Sequence, residues 1–172
     1  MYFYYNAQNS PIWGKIPVTE NSQAFSAPSM VQRSSGETDI AVQGPNHSLQ
    51  LYINNVGNPE WGHLQAAGEN TTFNDTNPPA ILLRPSGELD IAVHGPENQA
   101  LVYYNAQGQQ QWGETLAAIP GYANREPAMI QRPTGETDLI IVGPNSRLDY
   151  YMNDQNSPLW GVLPVQGNNS AY

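Results

Sequence analysis

Short apolar segments alternate along the whole chain with turns rich in glycine, proline and asparagine. The clearest stretch predicts four β-strands, a to d, over residues 29–33, 37–42, 48–53 and 60–64. Strand b is apolar on both faces near its end, which is typical of a strand that is covered on both sides. No segment has a convincing helical period, and 15 glycines and 15 prolines would interrupt one. The pattern therefore predicts an all-β chain.

The four-strand unit is repeated, and three short motifs mark the repeats. Trp-Gly begins at Trp13, Trp61, Trp112 and Trp160. Gly-Glu-x-Asp begins at Gly36, Gly87 and Gly135. Gly-Pro begins at Gly44, Gly95 and Gly143. A period of about 50 residues with several short strands per unit predicts β-propeller blades of four antiparallel strands.

The repeats divide one predicted domain, residues 1–172, into unequal units. Residues 1–25 supply only strands c and d, a half blade, and full units follow at about 26–77, 78–125 and 126–172. The chain thus holds roughly 3.5 blades, whereas closed rings use about four to eight. An open stack exposes its end faces, so we expect a homo-oligomer, with a dimer favoured, to complete the propeller. A longer parent protein cut to this length would also explain the phase of the repeat.

Composition narrows the class of partner. A net charge of −9 with only six lysines and arginines argues against nucleic acid, heparin-like polymers and anionic membranes, and favours a neutral ligand. The absence of cysteine excludes disulfides and thiolate metal sites. No apolar run approaches the ~20 residues of a membrane helix, so we predict a soluble chain without membrane insertion. The polar, weakly charged surface is typical of a secreted protein, although no signal peptide is visible.

The segment from Ser26 to Leu49 carries a specific combination of motifs: Gln-Arg, Gly-Glu-x-Asp-Ile and Gly-Pro-Asn, followed by Trp-Gly. This combination resembles the blades of the PLL (Photorhabdus lectin-like) family. The resemblance implies a seven-bladed propeller lectin that binds fucose and related, galactose-type sugars between its blades, and family chains are about twice as long. Family blades often read Tyr-Tyr-Trp at the end of strand c, where this chain has Asn6, Asn105 and Met152. Binding that depends on that tryptophan would be weak or lost here.

The aromatic residues are the first candidates for sugar contact. The tryptophans of the Trp-Gly motifs, Trp13, Trp61, Trp112 and Trp160, could stack on the apolar face of a sugar. Alternatively they are wedges between adjacent blades, which we favour because the motif recurs at a fixed place. Adjacent tyrosines on a strand point to opposite faces, so one of each pair can be exposed. We select Tyr104 and Tyr151 as candidate sugar contacts.

Charged residues also recur in every full unit. Three arginines and three glutamates could bind sugar hydroxyls through charge-assisted hydrogen bonds: Arg33, Arg84, Arg132, Glu37, Glu88 and Glu136. We favour the alternative, an ion pair across the turn between strands a and b. Three aspartates, Asp39, Asp90 and Asp138, are expected to accept backbone N–H groups of a turn or of a neighbouring blade.

The sequence favours binding over catalysis. It has no Ser-His-Asp order, phosphate loop or zinc motif, and its three histidines lack metal-ligand spacing, so no catalytic residue, metal or cofactor is predicted. The pair Glu37 and Asp39 recurs in every unit, whereas an active site is normally single and multivalent binding repeats. We therefore predict a multivalent carbohydrate-binding lectin and not an enzyme. The alternative is a designed or truncated propeller scaffold that self-assembles with weak or no sugar binding.

Overall fold

The computed structural model describes residues 1–6, 10–19, 23–73, 76–106, 109, 111–154, 157 and 159–164. Its strands form four antiparallel sheets, one of two strands and three of four. Sheet 1 consists of β1 (Tyr2–Asn6) and β2 (Trp13–Pro17). Sheet 2 consists of β3 (Ser29–Gln32), β4 (Thr38–Gln43), β5 (Leu49–Asn54) and β6 (Gly62–Ala67). Sheet 3 consists of β7 (Ala80–Leu83), β8 (Leu89–His94), β9 (Ala100–Asn105) and β10 (Gly113–Ala118). Sheet 4 consists of β11 (Ala128–Gln131), β12 (Thr137–Val142), β13 (Leu148–Asn153) and β14 (Gly161–Pro164).

The turns inside each sheet follow from the repeated motifs. The glycine of Gly-Glu-x-Asp has a positive φ in all three full sheets, for example 89° at Gly36 and 106° at Gly135, a conformation that favours glycine. Gly-Pro leads into a short 3-10 turn at Pro45–His47 and again at Pro144–Ser146. Proline cannot donate to a strand ladder, so these motifs end one strand and reverse the chain into the next.

The full sheets are arranged like the blades of a propeller. Strands are hydrogen-bonded in chain order within each sheet, and the first strands approach one another, β3 beside β7 and β7 beside β11. The first strand of each full sheet is therefore innermost and the fourth outermost. Sheet 1 contains only the equivalents of the outer two strands. The predicted all-β fold of about 3.5 blades is confirmed.

The core consists of three apolar layers between neighbouring sheets. Sheets 1 and 2 enclose Val18, Ile40, Val42 and Tyr52. Sheets 2 and 3 enclose a larger cluster that includes Leu51, Ile91 and Tyr103, and sheets 3 and 4 enclose Val102, Leu139, Ile141 and Tyr151. Fully burying one such side chain contributes about 1.5–3 kcal/mol, so the stability of each sheet depends on its neighbours.

The predicted strand positions are close to the observed ones for strands a, b and c, whereas strand d is displaced. We predicted it over residues 60–64, and the equivalent strand β6 runs from Gly62 to Ala67. The reason lies in the preceding loop, where the Asn54 side chain donates hydrogen bonds to the carbonyls of Asn58 and Glu60 and so holds these residues out of the ladder. Across the described ranges, the helical segments are single 3-10 turns, far too short to span a bilayer.

Candidate functional site

A groove opens between sheets 3 and 4, at the end of sheet 3 that carries the turn between β7 and β8. Its volume is about 260 Å³, at the small end of the ~300–1,000 Å³ that is usual for ligand pockets. The lining combines charged, hydroxyl and aromatic side chains: Arg84, Glu88, Asp90, Val102, Tyr104, Glu114, Thr115, Asn153, Ser157 and Trp160. Four of the predicted sugar contacts, Arg84, Glu88, Tyr104 and Trp160, thus converge in one space that fits a single small polar ligand.

The charged side of the groove is an arginine held by two carboxylates. Arg84 Nε lies 3.0 Å from Glu88 Oε1, and Arg84 Nη2 lies 2.6 Å from Asp90 Oδ2. The tight turn between β7 and β8 brings the three side chains to one side of the sheet. We expected the aspartates to accept backbone N–H groups, but the oxygen of Asp90 that is bonded here accepts from arginine. Arginine takes the place of the expected backbone donor because Arg84 follows the end of β7 directly and its side chain folds back over β8.

Asp90 is fully buried, and burial raises the pKa of its carboxyl group to about 6 although the Arg84 guanidinium opposes this rise. Its second oxygen, Oδ1, has no hydrogen-bond partner among the described residues, and neither has the indole nitrogen of Trp160. Buried polar atoms are nearly always hydrogen-bonded in folded proteins. A ligand with hydroxyl groups could donate a hydrogen bond to Asp90 Oδ1 and accept one from the indole N–H of Trp160.

The aromatic side of the groove is formed by Tyr104, which is 42% exposed, and by the half-buried Trp160. Tyr104 is paired across the sheet with Gly113, and its ring lies directly over the glycine. The second residue of the Trp-Gly motif therefore has a local purpose that the sequence analysis missed. Because glycine has no side chain, the ring of the cross-strand tyrosine can lie against the backbone there.

Gly113→Ala is expected to push the Tyr104 ring out of its present position, because the added methyl carbon would overlap the ring carbon Cζ. Gly161→Ala is the matched control, since its methyl carbon would meet Met152 Cγ at an ordinary 3.5 Å. We expect a change in tyrosine fluorescence and in near-ultraviolet circular dichroism for Gly113→Ala that Gly161→Ala does not produce. Equal spectra for both variants would contradict this role of the glycine.

The other two charged clusters lie in different surroundings. In sheet 2, Arg33 Nε lies 3.4 Å from Glu37 Oε1 and 2.7 Å from Asp39 Oδ2. Beside this cluster, the third strand of sheet 2 presents Leu51 and Ile53 where that of sheet 3 presents Val102 and Tyr104. In sheet 4, Arg132 Nε lies 2.8 Å from Asp138 Oδ2. Glu136 lies between these two residues in the sequence and accepts a hydrogen bond from Thr134. No sheet follows sheet 4 within the described chain.

The four tryptophans fall into two groups. Trp61, Trp112 and Trp160 each pack into the layer between their own sheet and the preceding one, and Trp61 meets Phe3 edge-on with ring centroids 5.4 Å apart. No sheet of the described residues precedes that of Trp13, which is 64% exposed. Three tryptophans therefore occupy wedge positions, and Trp160 additionally lines the groove.

Tyr151 lies elsewhere than Tyr104. It is only 5% exposed and belongs to the apolar layer between sheets 3 and 4. Counting back from the asparagine that ends each strand aligns Tyr151 with the buried Tyr103, and it aligns Met152 with Tyr104. Sheet 4 thus presents Met152 at the position where sheet 3 presents its exposed tyrosine.

A repeated asparagine is a structural residue that the sequence analysis did not assign. In each sheet the asparagine at the end of the third strand, or of β1 in sheet 1, donates from its side-chain nitrogen to two carbonyls of the next loop. These residues are Asn6, Asn54, Asn105 and Asn153. They hold the loop that leads to each tryptophan. The signal was present in the sequence, since asparagine ends every one of these strands.

Comparison with known proteins shows that other proteins share this fold. No family model matches the chain, and no curated protein matches it. The BP39L lectin from Burkholderia pseudomallei superposes with a TM-score of 0.79 at 16% identity, over 91% of this chain and 46% of that one. AofleA from Arthrobotrys oligospora gives 0.67 at 12%, over 88% and 46%. A fucose lectin from Kordia zhangzhouensis, in complex with methyl-fucoside, gives 0.56 at 12%, over 79% and 96%.

The chain spans about half the length of the BP39L lectin and of AofleA. The superpositions show that the all-β fold is shared, and at identities this low they show nothing more. The same fold also occurs in enzymes, since a PL25 ulvan lyase superposes with a TM-score of 0.64 at 17% identity and a trans-sialidase from Ruminococcus gnavus with 0.58 at 11%. The fold alone therefore does not separate binding from catalysis, and the function has to be argued from the groove.

Proposed function

We propose that this chain is a carbohydrate-binding lectin of the PLL type, which binds one fucose- or galactose-type residue in the groove between sheets 3 and 4. The observation that carries the proposal is the juxtaposition of an aromatic surface, Tyr104 and Trp160, with the cluster of Arg84, Glu88 and Asp90. Sugars present C–H groups on one face and hydroxyl groups at their rim, which suits such a combination.

Each side chain has a distinct task in the proposed complex. The Tyr104 ring supports the apolar face of the sugar, and the Trp160 indole N–H donates to a ring or hydroxyl oxygen. Glu88 and the free oxygen of Asp90 accept from hydroxyl groups, while Arg84 holds both carboxylates in place. The chain carries a net charge of −9, so a neutral sugar is favoured over an acidic one.

The site is proposed to bind without catalysis. Among the described side chains no group of three or more histidines, aspartates and glutamates could hold a metal ion. The two groove carboxylates of the Arg84 cluster are both engaged by the arginine, which suits a fixed acceptor better than a proton-transferring pair. An assembly of several chains would present several copies of this weak site, which gain affinity through avidity.

Tyr104→Ala tests the proposal. Titration with methyl α-L-fucoside and with methyl β-D-galactoside is expected to show that the variant binds one sugar fewer per chain, because the stacking surface of this groove is gone. Tyr122→Ala is the matched control, since Tyr122 is also about equally exposed, at 40%, and lies outside the groove. Failure of the parent chain to bind either sugar, or equal stoichiometry in both variants, would overturn the proposed site.

Self-assembly is the companion proposal. The two end sheets expose large apolar side chains, among them Tyr2 at 55%, Trp13 at 64% and Ile130 at 64%. Monomeric proteins rarely leave such groups uncovered in clusters. We propose a homo-oligomer, with a dimer favoured, that completes the ring. The same exposed faces support the alternative function, a self-assembling scaffold in which sugar binding is weak or lost.

A further inference from the structure

Each interface inside the chain is built in one direction. The later sheet supplies a tryptophan and the earlier sheet supplies the surface that receives it: Trp61 packs on sheet 1, Trp112 on sheet 2 and Trp160 on sheet 3. At the third of these interfaces the incoming tryptophan also lines the proposed sugar groove, opposite the charged cluster of the earlier sheet. A complete groove thus needs a cluster from one sheet and a tryptophan from the next.

Sheet 1 carries a tryptophan that packs on none of the other described sheets. Strand pairing in sheet 1 places Tyr2, Tyr4, Trp13 and Lys15 on one face, the N-terminal face, while Phe3 points the other way, to Trp61. Tyr2, Tyr4 and Trp13 are 54–64% exposed, and the Lys15 ammonium lies 3.8 Å from the centroid of the Tyr2 ring. The aromatic residues of this face are of the kind usually found in a buried layer, yet here they are exposed.

Sheet 4 carries a charged cluster that receives no tryptophan from another described sheet. Pairing of β11, β12 and β13 places Ile130, Asp138, Ile140 and Tyr150 on one face, the C-terminal face. The Arg132 side chain there is 47% exposed, compared with 13% for both Arg33 and Arg84 in sheets that have a following sheet.

Tyr150 occupies the repeat position of Val102, which lines the groove of sheet 3, and its hydroxyl group donates to Asp138. The C-terminal face therefore already holds an aromatic ring beside its arginine and carboxylates. Within the described residues, no following sheet supplies the tryptophan that would complete a groove on sheet 4.

We propose that a second copy of the chain places its N-terminal face on this C-terminal face, so that Trp13 of the second copy completes a further sugar site with Arg132, Glu136 and Tyr150 of the first. Charge is compatible with this orientation, because the N-terminal face carries the cation Lys15, whereas the C-terminal face carries the carboxylates of Glu136 and Asp138 beside the single cation Arg132. The sugar part of this inference rests on the proposed function, and the docking part does not.

Paired substitutions test the docking. Trp13→Asp disables the N-terminal face and Ile140→Asp disables the C-terminal face. Light scattering is expected to give a multiple of 18.9 kDa for the parent chain and 18.9 kDa for each variant alone. A mixture of the two variants retains one intact pair of faces, so its mass is expected to double. Ile119→Asp, which is 57% exposed and lies outside sheets 1 and 4, is the control and should assemble like the parent.

Other outcomes overturn the docking. A parent chain that is monomeric by light scattering would rule out the proposed docking. Assembly that Trp13→Asp abolishes and Ile140→Asp leaves intact would mean that two N-terminal faces meet each other, and the reverse result would mean two C-terminal faces. A mixture that stays monomeric would show that the two faces are not complementary.

The sugar site between chains has its own readout. In the assembled Tyr104→Ala variant, titration with methyl α-L-fucoside is expected to lose one further site per chain when Trp13→Ala is added, and to keep it with Ile119→Ala. Unchanged stoichiometry in an assembled protein would show that the faces dock without forming a site. Absence of any fucoside binding in the parent, together with the expected light scattering, would refute the lectin function and the shared site while leaving the docking in place.

Discussion

Trp112→Ala is expected to lower the free energy of unfolding by roughly 3 kcal/mol, the lower end of the range for large-to-alanine substitutions in cores. Trp112 is half-buried and packs on the layer between sheets 2 and 3, which is the largest of the three apolar clusters. Removal of the indole ring leaves a void between two sheets that cannot close without moving one of them. Urea unfolding followed by circular dichroism measures the effect.

Ile119→Ala is the control for this experiment, because Ile119 is an apolar residue that is 57% exposed. Its truncation should change the free energy of unfolding by at most about 0.5 kcal/mol, as is usual for surface substitutions. A Trp112→Ala variant as stable as the parent chain would show that this tryptophan is not a wedge. The experiment thus tests one of the two interpretations that the sequence leaves open.

Arg33→Ala should be the most destabilising single substitution of a charged residue, at about 3–5 kcal/mol, since it leaves a buried carboxylate without its partner. Asp39 is fully buried, and Arg33 Nε lies 2.7 Å from its Oδ2. Arg33 also donates from Nη1 to the carbonyl of Gly87 at 3.1 Å, so the same side chain joins sheet 2 to the inner turn of sheet 3. Arg125→Ala, which removes an exposed arginine, is the control and should leave stability nearly unchanged.

The penalty of Arg33→Ala should depend on pH in a definite direction. Burial already raises the pKa of Asp39 above its ordinary value of 3.8, and loss of the guanidinium raises this pKa further. A carboxyl group with a raised pKa in the folded state costs nothing below its unfolded pKa and destabilises increasingly as pH rises through its folded pKa. The difference between parent and variant should therefore shrink as pH falls from 7 to 4. A penalty that is the same at both pH values would assign the loss to packing and to the Gly87 bond.

The sequence was sufficient for the architecture because the fold is built from local signals. Gly-Glu-x-Asp and Gly-Pro set the turns, and the apolar runs between them set the strands, so the number of sheets follows by counting. The half blade at residues 1–25 was visible for the same reason. Strand d was displaced because its start depends on a side chain, Asn54, that bonds across the preceding loop.

The groove depended on information that one strand does not contain. Whether a tyrosine faces a ligand or the core is decided by a period of two residues, and Tyr151 is one position away from the repeat place of Tyr104. That Trp160 approaches Tyr104 depends on how two sheets stack, which no motif in either sheet encodes. The pairing of the aspartates with arginine was missed because it joins residues six positions apart across a turn.

The one-way supply of tryptophan from each sheet to the one before it has a consequence for how such chains change in length. A duplication or deletion of one whole period preserves every match between a wedge and its receiving surface, wherever in the unit its two breakpoints fall. Growth by whole periods therefore needs no new interface, and an end-to-end fusion of two copies would turn the proposed contact between two molecules into a contact within one molecule. Polarity, more than the similarity of the units, makes this repeat extensible.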